Sequence, residues 1–496
     1  MDPSRRSACL PDTRTDVLRF ITDWVSDTAC TQNVLWLHGL AGSGKSTIST
    51  TIANYYRNSG QLGAFVFFDR DVAERSNPAL VIRTLVYQIG SFQPQIGKLV
   101  SAAIEDTPAI LLSPISFQFK RLLIDLWSPD GLPPAQSQVV LVLDALDECD
   151  TAEEREALVK VLAEQSVHLP FNVRMIIGSR ADIDIRCMFE AQTHILSLEL
   201  DLNSAVVAHD ISSYFRHHMK LIRSKKTYLG MDWPGEDKII ALTERACGLF
   251  VWASTAAKFI NGHDPQKRLS IILQGNRSFG AESALDILYR TALESVGMWD
   301  DEDFVADFRT VIGTVLVLQD PLSSMAIDKL FGASEGRPSI DIITQLACVV
   351  SSSPRIRVIH PSFVDFLVTL SRCGRDIWFF RKGSHNRTVT IRCMHHLDHT
   401  LRRNMCNLTL STDLGDEHLP EDLTYACIFW VDHVCAIKED VQPIMEDLKT
   451  FLDRHLLHWF EAMSILRKSR EAIKLLDNLA DWVTVSLLHP VQVLIV

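Results

Sequence analysis

Short apolar runs alternate with amphipathic segments between about residue 30 and residue 205 of the chain. Five of these runs are nearly all apolar and have the length of strands: 34–38, 64–68, 139–143, 173–177 and 194–198. Between them, apolar residues recur at helical spacing, as in the segment from Lys45 to about Arg57. Because the runs are continuous rather than alternating, we predict an α/β fold with a parallel sheet covered by helices on both faces.

The strand pattern nearly disappears after residue 205, and amphipathic helices dominate the rest of the chain. One stretch reads as three helices, a strand and a further helix, which is the order of a winged-helix domain. We therefore expect five segments: a flexible lead at 1–13, a sheet domain at 14–205, a helical domain at 206–300, a winged-helix domain at 301–372 and a distal helical domain at 373–496.

Composition narrows the class of protein. Hydrophobic residues make up 47% of the 496 residues and charged residues 22%, as in an ordinary globular protein. Acidic residues outnumber basic ones, 61 against 49, so binding to nucleic acid is disfavoured. The N-terminus lacks a signal-peptide pattern, the 11 cysteines form no CxxC pair, and no apolar stretch is long enough to span a membrane. We expect a cytoplasmic protein with free thiols and no membrane partner.

The segment GLAGSGKS, followed by a threonine, matches the phosphate-binding pattern GxxxxGK[ST] in full and lies between a predicted strand and a predicted helix. Glycines let the loop backbone turn its N–H groups toward a phosphate, and the helix N-terminus adds positive potential. Lys45 would neutralise phosphate charge, and Ser46 would offer its hydroxyl to Mg²⁺. The predicted nucleotide-binding residues of the loop are Gly39, Ala41, Gly42, Ser43, Gly44, Lys45, Ser46 and Thr47.

Two further strands end in charged residues. The run 139–143 leads directly into Asp144, which we predict to hold Mg²⁺, and Asp147 or Glu148 could orient or deprotonate an attacking water. The run VRMIIGSR ends at Arg180, which could present its guanidinium group to a γ-phosphate. The alternatives are a solvated acidic loop and a surface arginine at a strand end.

The phosphate loop, the D-A-L-D-E segment and the strand ending in Ser-Arg together resemble the NACHT-type P-loop NTPases of the STAND group, in particular the fungal nephrocystin-like proteins of the NOD-like receptor type. Further segments are similar to this family across about residues 10 to 490: PDTRTDVLRFITDW, SAVVAHDISSYF, GLFVWASTAAKFI, RVIHPSFVDFL and YACIFWVDHV. Two positions depart from the family pattern. Phe250 stands where a proline is frequent, and Gly178 stands where a threonine is common.

The resemblance implies a molecular switch that is off with ADP and on with ATP, hydrolyses ATP slowly with Mg²⁺, and acts in fungal non-self recognition or cell-death signalling. GTP is the alternative nucleotide. By the same resemblance, His360 contacts the β-phosphate of ADP and locks the inactive form, and Arg14 lies near the adenine. Self-association in the ATP state is implied, as are effector or sensor chains supplied in trans, because the chain has no room for such domains of its own. It would be a fragment, a truncated product or a short adaptor.

Other functions remain open at this point. A motor or remodelling ATPase, or a nucleic-acid-directed NTPase, would show high, substrate-stimulated turnover, and a degenerate module would bind nucleotide only structurally. A metal site is a separate alternative for one histidine-rich helical segment, although an ordinary helical face is favoured because no H-E-x-x-H pattern is present. The residues of that segment are Cys393, His395, His396, His399 and Cys406.

Overall fold

The computed structural model describes residues 7–70, 72–125, 138–149, 152–170, 172–274, 280–331, 337–352, 354–406, 419–438 and 441–492. Residues 1–6 of the predicted flexible lead lie outside the described residues. The chain divides into two compact units, residues 1–288 and residues 289–496. The finer division into five segments stays a prediction.

The first unit contains a parallel sheet of five strands, in the order β2-β3-β4-β1-β5. Its strands are β1 (Val34–His38), β2 (Leu62–Phe67), β3 (Val139–Asp144), β4 (Val173–Ser179) and β5 (Ile195–Glu199). Every residue of β1, β3 and β4 is buried, which is why those runs are nearly all apolar. The edge strand β5 alternates between buried and more exposed positions. The predicted parallel sheet is confirmed.

Helices cover both faces of this sheet. Along β1, Val34 and Trp36 pack into one apolar core, whereas Leu35 and Leu37 pack into a second core on the other face. The helices of the first unit are α1 (Thr15–Ser26), α2 (Lys45–Asn58), α3 (Ala73–Ser76), α4 (Val81–Phe92), α5 (Pro94–Asp106), α6 (Ile115–Phe119), α7 (Ala152–Gln165), α8 (Ile183–Glu190), α9 (Ala205–Lys225), α10 (Glu236–Ala246), α11 (Phe250–Ile260) and α12 (Pro265–Gln274). Helix α13 (Ala281–Glu294) runs across the boundary between the units.

The second unit is mainly helical. Its helices are α14 (Glu302–Val315), α15 (Ser324–Phe331), α16 (Ser339–Gln345), α17 (Pro361–Leu367), α18 (Leu370–Cys373), α19 (Lys382–Thr400), α20 (Glu421–Cys435), α21 (Gln442–Ile465) and α22 (Ser469–Gln492). Between α16 and α17, β6 (Val350–Ser351) pairs antiparallel with β7 (Arg357–Val358). The strand predicted from residue 355 to 360 is thus shorter, because His360 already serves as the N-cap of α17. Across the described ranges, no helix is long and apolar enough to cross a membrane.

Candidate functional site

The phosphate loop connects β1 to α2 at the carboxyl edge of the sheet. Three of its residues lie in backbone conformations that favour glycine: Gly39 with φ 148°, Gly42 with φ 79° and Gly44 with φ 101°. Lys45 follows as the first residue of α2. The glycines that the sequence motif requires therefore occupy the positions at which the chain turns into the helix.

Lys45 lies inside the curve of the loop. Its Nζ donates hydrogen bonds to the carbonyl oxygens of Gly39 at 2.8 Å and Leu40 at 3.0 Å. Burial lowers the pKa of Lys45 from its usual value, and the carboxylates of Asp147 and Asp144 oppose that shift. The ammonium group is thus held at the loop by the loop's own backbone carbonyls.

The remaining predicted loop residues are placed with it. Ser43 is fully buried, Ala41 is half-buried in the turn, and Ser46 and Thr47 belong to the first turn of α2. The carbonyl oxygen of Ser46 accepts a hydrogen bond from the hydroxyl of Thr50, one turn further along the helix. The structure therefore brings together all eight loop residues that the sequence predicts.

Asp144 is the last residue of β3 and is buried. The neighbouring strand β4 approaches it closely at Gly178, where a Cβ atom would lie 2.7 Å from Asp144 Oδ1 and 3.2 Å from Ser49 Oγ. A side chain at this position would therefore displace the Asp144 carboxylate or the Ser49 hydroxyl from its present place. A carboxylate at this edge is the hard oxygen donor that Mg²⁺ prefers, so Asp144 and Ser46 are the residues that could hold the ion.

Asp147 and Arg180 form a close pair between the ends of β3 and β4. Asp147 Oδ1 accepts a hydrogen bond from the backbone N–H of Arg180 at 2.9 Å, and Oδ2 lies 3.1 Å from Arg180 Nε. The left-handed conformation of Ala145, with φ 59°, turns the chain so that the short helical turn with Asp147 and Glu148 follows. The residues predicted to act on the water and on the γ-phosphate are thus bound to one another.

Arg155, on α7, is a site residue that the sequence analysis missed. Its guanidinium group donates to the Asp147 carbonyl oxygen at 3.0 Å and to Asp184 Oδ2 at 2.9 and 2.8 Å, and it lies 3.5 Å from Asp182 Oδ2. These contacts tie the loop after β3 to the start of α8. In the sequence, Arg155 is only one arginine among the glutamates at the start of α7, and this pattern does not mark it as a site residue.

Arg14 is buried against the outer side of the phosphate loop. Its Nη2 donates to the Ser43 carbonyl oxygen at 2.6 Å, its guanidinium carbon lies 4.8 Å from the centre of the Phe250 ring, and its backbone N–H donates to Asp210 Oδ2 at 2.9 Å. Burial lowers the pKa of Arg14, and Asp210 opposes that shift. The structure thus brings Arg14 to the loop backbone. No sequence motif marks Asp210, its partner on α9.

The GLF segment also contacts the loop. The backbone N–H of Val251, in the first turn of α11, donates to the Gly42 carbonyl oxygen at 3.1 Å. A Cβ on Gly44 would lie 4.0 Å from Phe250 Cδ2. Helix α11 therefore begins directly on the phosphate loop, and one of its unpaired N-terminal donors is satisfied there.

His360 lies in the second unit. Its Nδ1 accepts a hydrogen bond from the Ser362 N–H at 3.2 Å and lies 2.7 Å from Ser362 Oγ, which in turn lies 2.7 Å from the Tyr289 hydroxyl. The histidine thus caps α17 within its own unit. Its predicted role toward ADP stays a prediction.

Side chains of α19 in the histidine-rich segment contact the neighbouring helices α20 and α21, and burial lowers the pKa of His396. His396 Nε2 lies 3.1 Å from Asp422 Oδ2, and His455 Nε2 lies 3.0 Å from Asp398 Oδ1. In the part of the chain that the structure describes, no group of three or more His, Cys, Asp or Glu side chains could hold a metal ion.

Comparison with known proteins gives two sequence similarities. Residues 18–180 match the family described as Nephrocystin 3, N-terminal. The chain is 23% identical over 477 residues to the vegetative incompatibility protein HET-E-1 of Podospora anserina, covering 90% of this chain and 34% of that protein. The chain therefore spans about a third of the length of this curated relative. The resemblance to nephrocystin-like NACHT proteins that the sequence motifs indicate is confirmed.

Among solved structures, Cdc6p from Pyrobaculum aerophilum is 9% identical, with a TM-score of 0.31 over 79% of this chain and 98% of that chain. The Aeropyrum pernix Orc1 protein in complex with DNA is 12% identical, with a TM-score of 0.29 over 74% of this chain and 96% of that chain.

Proposed function

With the resemblance to nephrocystin-like NACHT proteins as the premise, we propose that the chain is a nucleotide-operated switch, off with ADP and on with ATP. The observation that carries the proposal is the hydrogen bond from Val251 of α11 to Gly42 of the phosphate loop, at 3.1 Å. Helix α11 follows the sheet in the sequence. Because its first turn is hydrogen-bonded to the phosphate loop, a change of the loop backbone on binding the γ-phosphate would act directly on α11. A ligand shifts an equilibrium only through such differential contacts.

The loop residues would bind the nucleotide phosphates, with Lys45 as the main positive charge. Ser46 and Asp144 would hold Mg²⁺, which supplies charge neutralisation at the β- and γ-phosphates when it is bound. Glu148 and Asp147 are the candidates for orienting the attacking water. A low rate of hydrolysis is consistent with this site, because Asp147 and Arg180 are hydrogen-bonded to each other. Hydrolysis that requires either of them must first separate a hydrogen-bonded ion pair.

The inactive form would be held by ADP together with His360. His360→Ala should then release ADP faster, but the same change also removes the cap of α17. His360→Asn is the matched variant, because asparagine is a strong N-cap and lacks the imidazole. Faster ADP release in both variants supports the histidine as part of the lock. Release at the wild-type rate in His360→Asn would remove it from the mechanism.

The decisive experiment is to identify and quantify the nucleotide that co-purifies with the protein, and then to measure ADP and ATP affinity. Lys45→Ala should abolish binding. The exposed Lys160 on α7 gives a matched control, and Lys160→Ala should bind as wild type does. Nucleotide affinity that survives in Lys45→Ala would overturn the proposal.

Steady-state turnover separates the switch from a motor or remodelling ATPase. We expect slow hydrolysis that added protein or nucleic acid does not stimulate. Turnover that rises strongly with DNA, RNA or an unfolded protein would favour the alternative NTPases.

The biological setting that we propose is fungal non-self recognition or cell-death signalling in the cytoplasm, by analogy with the vegetative incompatibility protein to which the chain is similar. The ATP form would self-associate, and effector or sensor chains would act in trans. Light scattering with ADP and with a non-hydrolysable ATP analogue tests the first point. Equal mass in both states would argue against nucleotide-controlled assembly.

A further inference from the structure

Two consecutive carbonyl groups of the phosphate loop are held from outside the loop. Val251 N–H binds the Gly42 carbonyl oxygen at 3.1 Å, and Arg14 Nη2 binds the Ser43 carbonyl oxygen at 2.6 Å. A trans peptide is planar, so its C=O and N–H groups point in opposite directions. Fixing the Ser43 carbonyl toward Arg14 therefore directs the Gly44 N–H away from Arg14.

The arginine itself is firmly placed. Arg14 is only 5% exposed, and its guanidinium carbon lies 4.8 Å from the centre of the Phe250 ring. Its backbone N–H is bound by the buried carboxylate of Asp210 on α9. Arg14 thus joins α1, α9 and α11 to one peptide of the phosphate loop. A planar guanidinium can donate in its plane and stack through its face at once, which an ammonium group cannot do.

We propose that Arg14 is a positioning residue that sets nucleotide affinity through the backbone of the phosphate loop, by aligning the Gly44 N–H, and that it makes no contact with the base. This inference rests on the proposed nucleotide-binding function. It replaces the expectation that Arg14 lies at the adenine with a role for the Ser43–Gly44 peptide.

Arg174 is a control with the same kinds of contact, and it lies at the opposite ends of the strands from the phosphate loop. It lies near the start of β4, is 2% exposed, and donates to the carbonyl oxygens of Gln32 at 3.0 Å and Asp27 at 2.7 Å. Its guanidinium carbon lies 5.4 Å from the centre of the Trp24 ring. Replacing either arginine by lysine removes the same kinds of contact, but only one of them touches the phosphate loop.

The test measures ADP and GDP affinity and thermal unfolding for wild type, Arg14→Lys and Arg174→Lys in the full chain. We expect Arg14→Lys to weaken the binding of ADP and of GDP by the same factor, about tenfold, which corresponds to one lost hydrogen bond. Arg174→Lys disturbs three hydrogen bonds to backbone carbonyls, so it should lower the unfolding temperature at least as much as Arg14→Lys does and leave nucleotide affinity unchanged.

Three results would overturn the inference. Wild-type affinity in Arg14→Lys would show that the contact does not position the loop. Equal losses of affinity in both variants would show a general effect of stability. A change in the ratio of ADP to GDP affinity would show a contact with the base. If wild type itself binds no nucleotide, the proposed function is overturned and this inference with it, whereas the three results above arise only when wild type binds.

Discussion

Asp147 binds Arg180 through both carboxylate oxygens, one to the backbone N–H at 2.9 Å and one to Nε at 3.1 Å. The two residues follow neighbouring strands, and both were expected to act in hydrolysis. Their pairing gives them different roles in the resting structure. Asp147 holds Arg180, and Glu148 becomes the stronger candidate for the residue that orients water.

The first prediction follows from this pairing. Glu148→Gln should slow hydrolysis by about 100-fold, within the usual range for loss of a general base, while ADP affinity stays near that of wild type. Asp147→Asn keeps an oxygen for the Arg180 N–H and should slow hydrolysis by a smaller factor. Single-turnover ATP hydrolysis measures both. Slower hydrolysis in Asp147→Asn than in Glu148→Gln would reverse the assignment.

The second prediction concerns Gly178. A threonine at this position would place its Cβ 2.7 Å from Asp144 Oδ1, so the carboxylate must move. Gly178→Thr should therefore weaken Mg²⁺-dependent nucleotide binding at least about tenfold, the equivalent of 1.4 kcal/mol. Gly230→Ala serves as the control, because an added Cβ meets nothing within 4 Å there. Titration of ADP with and without Mg²⁺ measures the effect, and wild-type affinity in Gly178→Thr would contradict it.

The third prediction concerns Arg155, whose contacts join the loop after β3 to α8. Arg155→Ala leaves Asp184 and the Asp147 carbonyl oxygen without this donor and should reduce the free energy of unfolding by about 2–3 kcal/mol. Arg121→Ala, which removes the exposed pair with Asp125, should change it by less than about 1 kcal/mol. Chemical denaturation compares the two variants. Similar values for both would mean that Arg155 does not brace the site.

The fourth prediction concerns pH and the buried histidine His433. Its Nε2 lies 2.7 Å from the Tyr425 hydroxyl and its Nδ1 lies 2.9 Å from Asn386 Oδ1, while burial lowers its pKa to about 3. The unfolded chain would take up this proton near the ordinary histidine pKa of about 6.5. The contribution of His433 to the free energy of unfolding should therefore be fully present above pH 6.5 and be lost as the pH falls toward 3. In that window only the unfolded state binds the proton.

His433→Gln tests this assignment, since glutamine can donate and accept but does not titrate there. Thermal unfolding from pH 7 to pH 4 should show a shallower pH dependence in this variant than in wild type. His385, whose pKa burial lowers to about 4, contributes in the same direction and remains in both proteins. Parallel pH profiles would exclude His433 as the source.

The sequence by itself determined the local parts of this protein. The five continuous apolar runs identified the strands of a buried parallel sheet, and the glycine spacing placed the phosphate loop between β1 and α2. Asp144 could be predicted at the carboxyl edge because it ends an unbroken apolar run. These features are readable because each depends on neighbours in the chain, through strand burial, backbone conformation and helix initiation.

Only the tertiary structure decided which of these parts meet. The strand order places β4 beside β3, which joins Arg180 to Asp147 and brings Gly178 close to the Asp144 carboxylate. The burial of Arg14 against Ser43, Asp210 and Phe250 brings together residues from four separate segments. Such contacts depend on the packing of helices over the sheet, and no spacing along the chain encodes them. The sequence therefore predicted the candidate site residues, and the fold assigned their partners.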